Sequence, residues 1–268
     1  MTGLADLPKP VAAFDVGLRR VLTTFSPEER EIGMLSFAGQ YSKRAAVAEI
    51  VSSVYTDTGL MAVCGGRSVR HPLGFDKFVL YASDVYQLRL HVWWPDEVHG
   101  TEHIHNHRFS FVSGIIVGEI FVASYRSMRG GVPHTRFRET RYRSGSGYEY
   151  GSYGRMHVGT ASMHTLGAGC AYYLDSGELH RVQAANGHLA ATLFIRLPQN
   201  RRNTDVLVAV NGELPVTGPR ESMGMAEAKR RLTSFARMMG LPPRRSGACG
   251  RTTVPVTSSG RRRSGKVS

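Results

Sequence analysis

Residues 104–107 read IHNH and residues 179–182 read LHRV, and these two short segments carry the strongest structural signal in the chain. His105 and His107 are two positions apart, so in a β-strand both imidazoles project from the same face. A third histidine from a distant strand would complete a three-histidine site. Imidazole suits iron, zinc, copper and nickel, whereas magnesium and calcium prefer oxygen ligands. The pattern therefore favours a transition-metal centre inside a β-barrel.

Spacing alone does not select the ligands. The first cluster contains four histidines: His99, His103, His105 and His107. In an extended strand any two neighbours among the last three could chelate a metal. The downstream candidates are His134, His157, His164, His180 and His188. Among these, His180 is favoured as the third ligand because the tight turn DSGE at 175–178 would place it at the start of a strand. The alternative is that it is a structural residue, since an isolated histidine in a strand is usually hydrogen-bonded or at the surface.

The first sixty residues show helical periodicity. Apolar side chains recur at helical spacing over 11–25 and again over 47–54. The segment SPEE at 26–29 is typical of a helix start, with a serine N-cap, proline at the first helical position and a capping box. We expect three helices here that cover one face of a barrel. A last helix is expected at about 221–239.

From residue 78 onward the hydrophobic period changes from that of a helix to that of a strand. Apolar and polar residues alternate over 86–93, and further strand-like segments occur at 109–116, 119–125, 136–143, 170–174, 180–184 and 190–197. Many short strands separated by turn residues indicate a β-sandwich or barrel. The glycine-, serine- and tyrosine-rich segment 126–169 is interpreted as a long hairpin and lid-like insertion.

These patterns divide the chain into four parts: an N-terminal helical segment at 1–60, a barrel at 61–216 with the insertion 126–169, a helix at 217–240 and a basic tail at 241–268. The net charge is +13, and the tail contributes seven basic residues and no acid. Its glycine, serine, threonine and proline content predicts a disordered extension. Nucleic-acid binding would rest on this tail alone and is not expected.

The expected compartment is inferred from three features that the sequence lacks. No run of 18 or more apolar residues occurs, so no membrane span is expected. The first nine residues lack the apolar core of a secretory signal. Three scattered cysteines do not make a disulfide framework or a CxxC site. A reducing, cytoplasmic setting is the expectation.

The chain resembles the cupin superfamily, specifically its cysteine dioxygenase-like (thiol dioxygenase) three-histidine branch. That branch typically shows an Ile-His-x-His strand, a glycine about a dozen residues later, and a strand reading roughly Cys-Ala-Tyr…Asp-Ser…Leu-His-Arg-Val. This sequence has IHNH at 104–107, Gly118, CAY at 170–172, DS at 175–176 and LHRV at 179–182. The resemblance spans about residues 78–198, apart from the insertion. It implies a mainly β protein, a double-stranded β-helix barrel with N-terminal helices and a C-terminal helix.

By this resemblance His105, His107 and His180 would be the ligands of Fe(II), leaving the opposite face of the ion open for O2 and a small-molecule substrate. The implied function is that of a non-haem Fe(II)-dependent oxygenase. His103 is interpreted as a neighbour that tunes or gates the site. Other cupins often carry a glutamate soon after His-x-His. The corresponding place, about Phe111, holds no carboxylate, which fits the three-histidine subclass.

The departures from this branch concern the substrate. Cysteine dioxygenases commonly have Ser-x-His-x-Tyr on the strand after the third ligand, where this chain has TLFIR at 192–196. The cysteine that can crosslink to that tyrosine would lie near Phe111 and is absent. The place where this branch has its carboxylate-binding arginine corresponds to about Asp76 or Lys77, so the arginine is absent there. We therefore expect a small polar substrate other than free cysteine.

Arg196 and Tyr172 are the candidate catalytic residues. If Arg196 or Arg89 points into the barrel, its guanidinium could grip a carboxylate or phosphate in bidentate fashion; otherwise each is a surface arginine of a basic protein. Three tyrosines of the insertion could belong to the mouth of the barrel or to an exposed loop: Tyr148, Tyr150 and Tyr153. The alternative function is a non-catalytic metal- or ligand-binding cupin, such as a sensor or accessory protein.

Overall fold

A computed structural model describes residues 7–141, 147–214, 218–219 and 221–240, so the predicted tail at 241–268 lies outside the described residues. Four helices precede the strands and one follows them: α1 (Lys9–Thr24), α2 (Pro27–Tyr41), α3 (Arg44–Thr56), α4 (Thr58–Arg67) and α5 (Gly224–Met238). Within the described part of the chain, every helix falls short of the combined length and hydropathy that a membrane-spanning segment requires.

Two of the four N-terminal helices, α2 and α4, begin at a side-chain cap. At the start of α2 the backbone N–H of Glu29 donates to Ser26 Oγ at 3.3 Å, and the backbone N–H of Ser26 donates to Glu29 Oε2 at 3.2 Å, which is the predicted capping box. The sequence pattern did not indicate α4, which runs across the predicted boundary at residue 60. Asp57 caps it by accepting the N–H of Leu60 at 2.8 Å.

Twelve strands form two six-stranded sheets in the described residues. The first sheet contains β1 (Val69–His71), β2 (Phe75–Ala82), β3 (Gln87–Trp93), β5 (Phe109–Val117), β8 (Ala171–Leu174) and β10 (Ala190–Gln199). The second contains β4 (Ile104–His105), β6 (Glu119–Arg141), β7 (Gly147–Gly167), β9 (Leu179–Ala184), β11 (Thr204–Ala209) and β12 (Gly218–Pro219).

The order of the strands identifies the architecture. The first sheet runs β1-β2-β3-β10-β5-β8 and the second β11-β4-β9-β6-β7-β12. From β3 to β10, the chain thus forms the two four-stranded sheets β3-β10-β5-β8 and β4-β9-β6-β7, all of whose pairings are antiparallel. This is the order of a double-stranded β-helix, so the predicted fold class is confirmed.

Alternation along β3 and β10 separates the two faces of the first sheet. Leu88, Leu90, Leu193 and Ile195 are fully buried beneath the helices, in one core with Phe14 of α1. The intervening residues face the space between the sheets, because successive strand side chains point to opposite faces. The helices therefore cover the outer face of the first sheet, and the alternate side chains of each strand line the interior of the barrel.

The segment 126–169 belongs to one long hairpin. Strands β6 and β7 pair from Glu119 and Gly167 to Arg141 and Tyr148, and residues 142–146 lie outside the described part of the chain. The hairpin starts at Gly118, where φ is +72° and a Cβ would stand 2.3 Å from the carbonyl oxygen of Leu189. Only glycine fits such a position without strain.

Candidate metal centre

Three histidines converge between the two sheets. His105 ends β4, His107 lies two residues beyond it, and His180 is the second residue of β9. Their possible ligand atoms all lie within 4.8 Å of one another. The ring centroids are 4.8 Å apart for His105 and His107, 4.5 Å for His105 and His180, and 4.9 Å for His107 and His180. The antiparallel pairing of β4 with β9 produces this convergence, because His105 and His180 are direct register partners.

Backbone carbonyls orient two of the rings. Nδ1 of His105 lies 2.9 Å from the carbonyl oxygen of His103, and Nδ1 of His180 lies 3.4 Å from that of Glu178. A carbonyl oxygen can only accept, so each Nδ1 donates its hydrogen and Nε2 is the nitrogen available to a metal. Fixing the tautomer through the second ring nitrogen is the usual device for a metal-binding histidine.

Burial keeps two of the imidazoles neutral. Desolvation, followed by the charge of His105, lowers the pKa of His107 and of His180 well below the usual value of 6.5. A neutral imidazole is the form that coordinates a metal. With three imidazole nitrogen donors and no carboxylate in the group, the donor set fits iron, zinc, copper or nickel better than magnesium or calcium.

The segment between the first two histidines is held from the second sheet. Asn106 is 3% exposed, and its side chain accepts the backbone N–H of Asp205 at 2.7 Å and donates to Asp205 Oδ2 at 3.2 Å. Its own backbone N–H donates to the carbonyl oxygen of Asp205 at 3.1 Å. The carboxylate of Asp205 also accepts from Arg136 at 2.8 Å. This clamp fixes the backbone on which His105 and His107 stand.

A cavity of about 470 Å³ opens at the three histidines, and it is lined by both candidate catalytic residues, Arg196 and Tyr172, and by Arg89. Arg196 lies over the ring of Phe109, 4.5 Å from its centroid, and Arg89 lies 5.6 Å from the same centroid. Burial raises the pKa of Tyr172 above its usual value of 10, so the hydroxyl stays protonated. Both arginines thus face the interior rather than the outer surface.

Aromatic rings surround one of the three histidines. Phe111 is 1% exposed, meets the ring of His107 edge-on at 5.1 Å and stacks on Phe194 at 4.4 Å. Phe109 stacks on His107 at 4.9 Å. The ring of His107 is therefore enclosed by hydrocarbon on two sides. At the place expected for the carboxylate-binding arginine, Lys77 lines the cavity, while the buried Asp76 accepts from Trp94 Nε1 at 2.7 Å.

The hairpin contributes to the rim of the cavity. Tyr148 and Tyr150 line it, together with Glu139. Tyr150 donates to Glu139 Oε2 at 3.0 Å, and Arg108 donates to Glu139 Oε1 at 3.1 Å. Tyr153, in contrast, is 51% exposed and packs on Arg138 outside the cavity. Two of the three tyrosines thus lie at the cavity, and the third lies outside its lining.

The other candidate histidines lie elsewhere. His157, His164 and His188 are exposed. His99 is buried but bonded through Nδ1 to the carbonyl oxygen of Gly74 at 2.9 Å, away from the cavity lining. His134 lines a separate pocket. His103 lines the cavity beside His105 without joining the group of possible ligands.

Sequence reasoning did not assign two cavity residues that the structure makes prominent. Glu102 accepts the backbone N–H of Val182 at 2.9 Å, and burial raises the pKa of its carboxyl above the usual value. His91 lies on β3 opposite Thr192 of β10 and lines the same cavity. The alternation of β3 placed His91 on one face, but nothing in the sequence gave the register that brings it to the cavity.

No family model matches the sequence, and no curated protein matches it. Solved structures match at low similarity. The hydroquinone 1,2-dioxygenase PnpCD, in complex with Cd2+ and 4-hydroxybenzonitrile, is 14% identical with a TM-score of 0.31, over 60% of this chain and 76% of that chain. An RmlC-like cupin family protein with a double-stranded β-helix fold from Methanocaldococcus jannaschii is 12% identical with a TM-score of 0.28, over 50% and 84%.

A cupin-2 domain containing protein from Shewanella frigidimarina is 15% identical with a TM-score of 0.27, over 46% of this chain and 79% of that chain. Scores of this size do not identify a family or an activity. The assignment of the architecture rests instead on the strand order of the chain itself. By that order the protein has the double-stranded β-helix of the cupin fold.

Proposed function

We propose that the protein is a non-haem Fe(II)-dependent oxygenase of the cysteine dioxygenase-like cupin type, acting on a small polar substrate that is not free cysteine. The observation that carries this proposal is the set of three histidine ligand atoms within 4.8 Å of one another at a cavity of about 470 Å³. In this proposal His105, His107 and His180 hold the ion. Ferrous iron, when bound, supplies the one-electron chemistry that O2 requires.

The residues around the ligands would bind and orient the substrate. Arg196 offers a planar guanidinium that can pair with an anionic group in bidentate fashion. Tyr172, kept protonated by burial, can donate a hydrogen bond from its hydroxyl. The rings of Phe109, Phe111 and Phe194 exclude water from the side of His107. Positioning and exclusion of water are the contributions that a protein makes to chemistry of this kind.

The exclusion of free cysteine rests on the inward face of β10. Thr192, Phe194 and Arg196 line the cavity on the strand where cysteine dioxygenases commonly carry serine, histidine and tyrosine. A phenyl ring and a guanidinium cannot provide the phenol or imidazole of those enzymes. The same difference favours the second candidate, a metal- or ligand-binding cupin without oxygenase activity.

The test is the metal content and dioxygen uptake of the full chain loaded anaerobically with Fe(II). We expect about one iron per chain in the parent, because three preorganised imidazoles form one site. His105→Ala and His180→Ala should lose it. His134→Ala is the matched control, since this buried histidine also bonds a carbonyl through Nδ1, at 3.0 Å, but lies outside the cavity lining.

A folded parent that takes up no metal would contradict the proposal and make the histidines structural. Uptake of O2 with members of a panel of thiols and amino acids, lost in both ligand variants, would support the oxygenase. Iron binding without any iron-dependent O2 uptake would favour the non-catalytic alternative.

A further inference from the structure

One wall of the cavity carries five polar side chains on three adjacent strands. Lys77 of β2, His91 of β3 and Thr192 of β10 form one row across the sheet, because Lys77 pairs with His91 and His91 with Thr192. Arg89 and Arg196 lie two and four residues further along the inward faces of β3 and β10. All five line the cavity.

Two of these side chains have unsatisfied polar atoms. Nε2 of His91 and Oγ1 of Thr192 are buried without a hydrogen-bond partner, and Thr192 is only 1% exposed. Burial, followed by the charges of Arg89 and Lys77, lowers the pKa of His91 well below 6.5, so its ring is neutral. A buried polar atom without a partner is costly. Two such atoms as cross-strand neighbours on a cavity wall indicate that a ligand completes their hydrogen bonds.

The charge of this wall selects the kind of ligand. It presents the cations Lys77, Arg89 and Arg196. Several cations on one wall of a cavity raise the local concentration of anions.

The cationic wall adjoins the histidine centre. The ring of Phe109 stacks on His107 at 4.9 Å, while Arg196 lies over that same ring at 4.5 Å. One aromatic ring therefore separates a proposed metal ligand from a guanidinium. A molecule of a few heavy atoms could reach both.

We propose that Lys77, Arg89, His91, Thr192 and Arg196 form a subsite for a doubly charged tetrahedral oxyanion, a phosphate or phosphonate group, at the end of the substrate away from the histidines. This inference deepens the proposed function, and it rests on that function for the role of the substrate end that faces the histidines. A tetrahedral oxyanion presents three strongly accepting oxygens, which matches the donor side chains of Lys77, Arg89, Thr192 and Arg196 better than the two oxygens of a carboxylate. Three cations likewise suit two negative charges better than one.

The experiment is a calorimetric titration of the full chain, loaded with redox-inert Zn2+, with inorganic phosphate, methylphosphonate and acetate. We expect one phosphate per cavity and binding of acetate weaker by about tenfold or more. Arg196→Met and Lys77→Met should each weaken phosphate binding about tenfold or more. Thr192→Val, which keeps the shape of the side chain, should weaken it severalfold, as expected for one lost hydrogen bond.

The matched control is Arg138→Met, because Arg138 packs on the exposed Tyr153 outside the cavity. We expect it to leave phosphate affinity within about twofold of the parent. Equal loss in Arg138→Met, or no loss in the cavity variants, would overturn the proposal and attribute binding to general positive charge. Acetate that binds as tightly as phosphate would overturn the doubly charged class.

The two proposals fail separately. Phosphate binding by protein that takes up no metal would refute the oxygenase and support the subsite. Metal uptake that is lost in His105→Ala, together with no phosphate binding in the parent, would support the oxygenase and refute the subsite. Circular dichroism of each variant establishes that it is folded before its affinity is compared.

Discussion

At the scale of single residues, the histidine centre depends on Asn106, which is not among its proposed ligands. Asn106 stands between two of the proposed ligands and is held by Asp205 through three hydrogen bonds. Burial by itself raises the pKa of Asp205, but hydrogen bonds from Arg136 and Asn106 outweigh it, so the pKa of this carboxyl lies below its usual 3.8. The charged form of Asp205 is thus the form that the fold stabilises.

We predict that Asp205→Asn destabilises the metal-free protein by about 2 kcal/mol at pH 7, the contribution of a hydrogen bond to a charged group. Because the folded pKa is depressed, this contribution is fully present above the unfolded value of 3.8 and disappears as the pH falls through the folded pKa. Urea denaturation of parent and variant at pH 7 and near pH 3 measures it. Asp84→Asn, at an exposed ion pair with Arg19, is the control. A difference between Asp205→Asn and parent that does not shrink on acidification would contradict the account.

The residues that could be predicted from the sequence are those whose position depends on local geometry. The period of two placed His105 and His107 on one face, and the turn at 175–178 favoured His180. Lys77, His91 and Thr192 could not be predicted as a group, because they meet through the register of three strands that are distant in sequence. Register is set by packing across the whole sheet rather than by any one strand.

At the scale of elements, α5 is held to the barrel by Arg231, which forms ion pairs with two carboxylates. Arg231 donates to Asp76, which is fully buried, and to Glu97 at 2.7 Å. The side chain of Arg231 is 11% exposed and lies over the ring of Trp94 at 5.0 Å. The helix also packs on α4, where the backbone of Met225 approaches Gly65 so closely that a Cβ there would stand 2.5 Å away.

We predict that Arg231→Met lowers the free energy of unfolding by about 3–5 kcal/mol, because it leaves the carboxylate of Asp76 buried without its charge partner. Chemical denaturation followed by circular dichroism measures the change. The neighbouring Arg230 pairs with Glu227 on the exposed side of the same helix. Arg230→Met should therefore cost no more than about 0.5 kcal/mol. Similar losses in the two variants would show that Asp76 does not need Arg231.

Among the elements that were not predicted, β11 and α4 were missed for different physical reasons. Strand β11 is buried on both faces from Thr204 to Val208, so it lacks the alternation that reveals a half-buried strand. Helix α4 has ten residues and ends in Gly65, Gly66 and Arg67, and glycine is a poor helix former. The packing of α4 against α5 and β2 stabilises a helix that its sequence favours only weakly. The amphipathic α1 and α3, in contrast, were readable from their apolar stripes.

At the scale of the whole molecule, the proposed ligands join distant parts of the chain. His105 and His107 precede the long hairpin and His180 follows it, so a metal held by all three would link segments of the chain that are separated by an insertion of more than forty residues. Such a site exists in the folded chain and not in the unfolded one. Metal binding therefore adds to the free energy of unfolding.

We predict that Zn2+ at a free concentration of about 1,000 times its dissociation constant stabilises the full chain by about 4 kcal/mol. For a protein of this size that raises Tm by roughly 10 °C. Differential scanning calorimetry with and without the metal measures the shift, and a chelator should reverse it. His180→Ala should show almost no shift, whereas His134→Ala should respond like the parent. An equal shift in His180→Ala would mean that the metal stabilises the protein from a different site, such as the exposed histidines His157, His164 and His188.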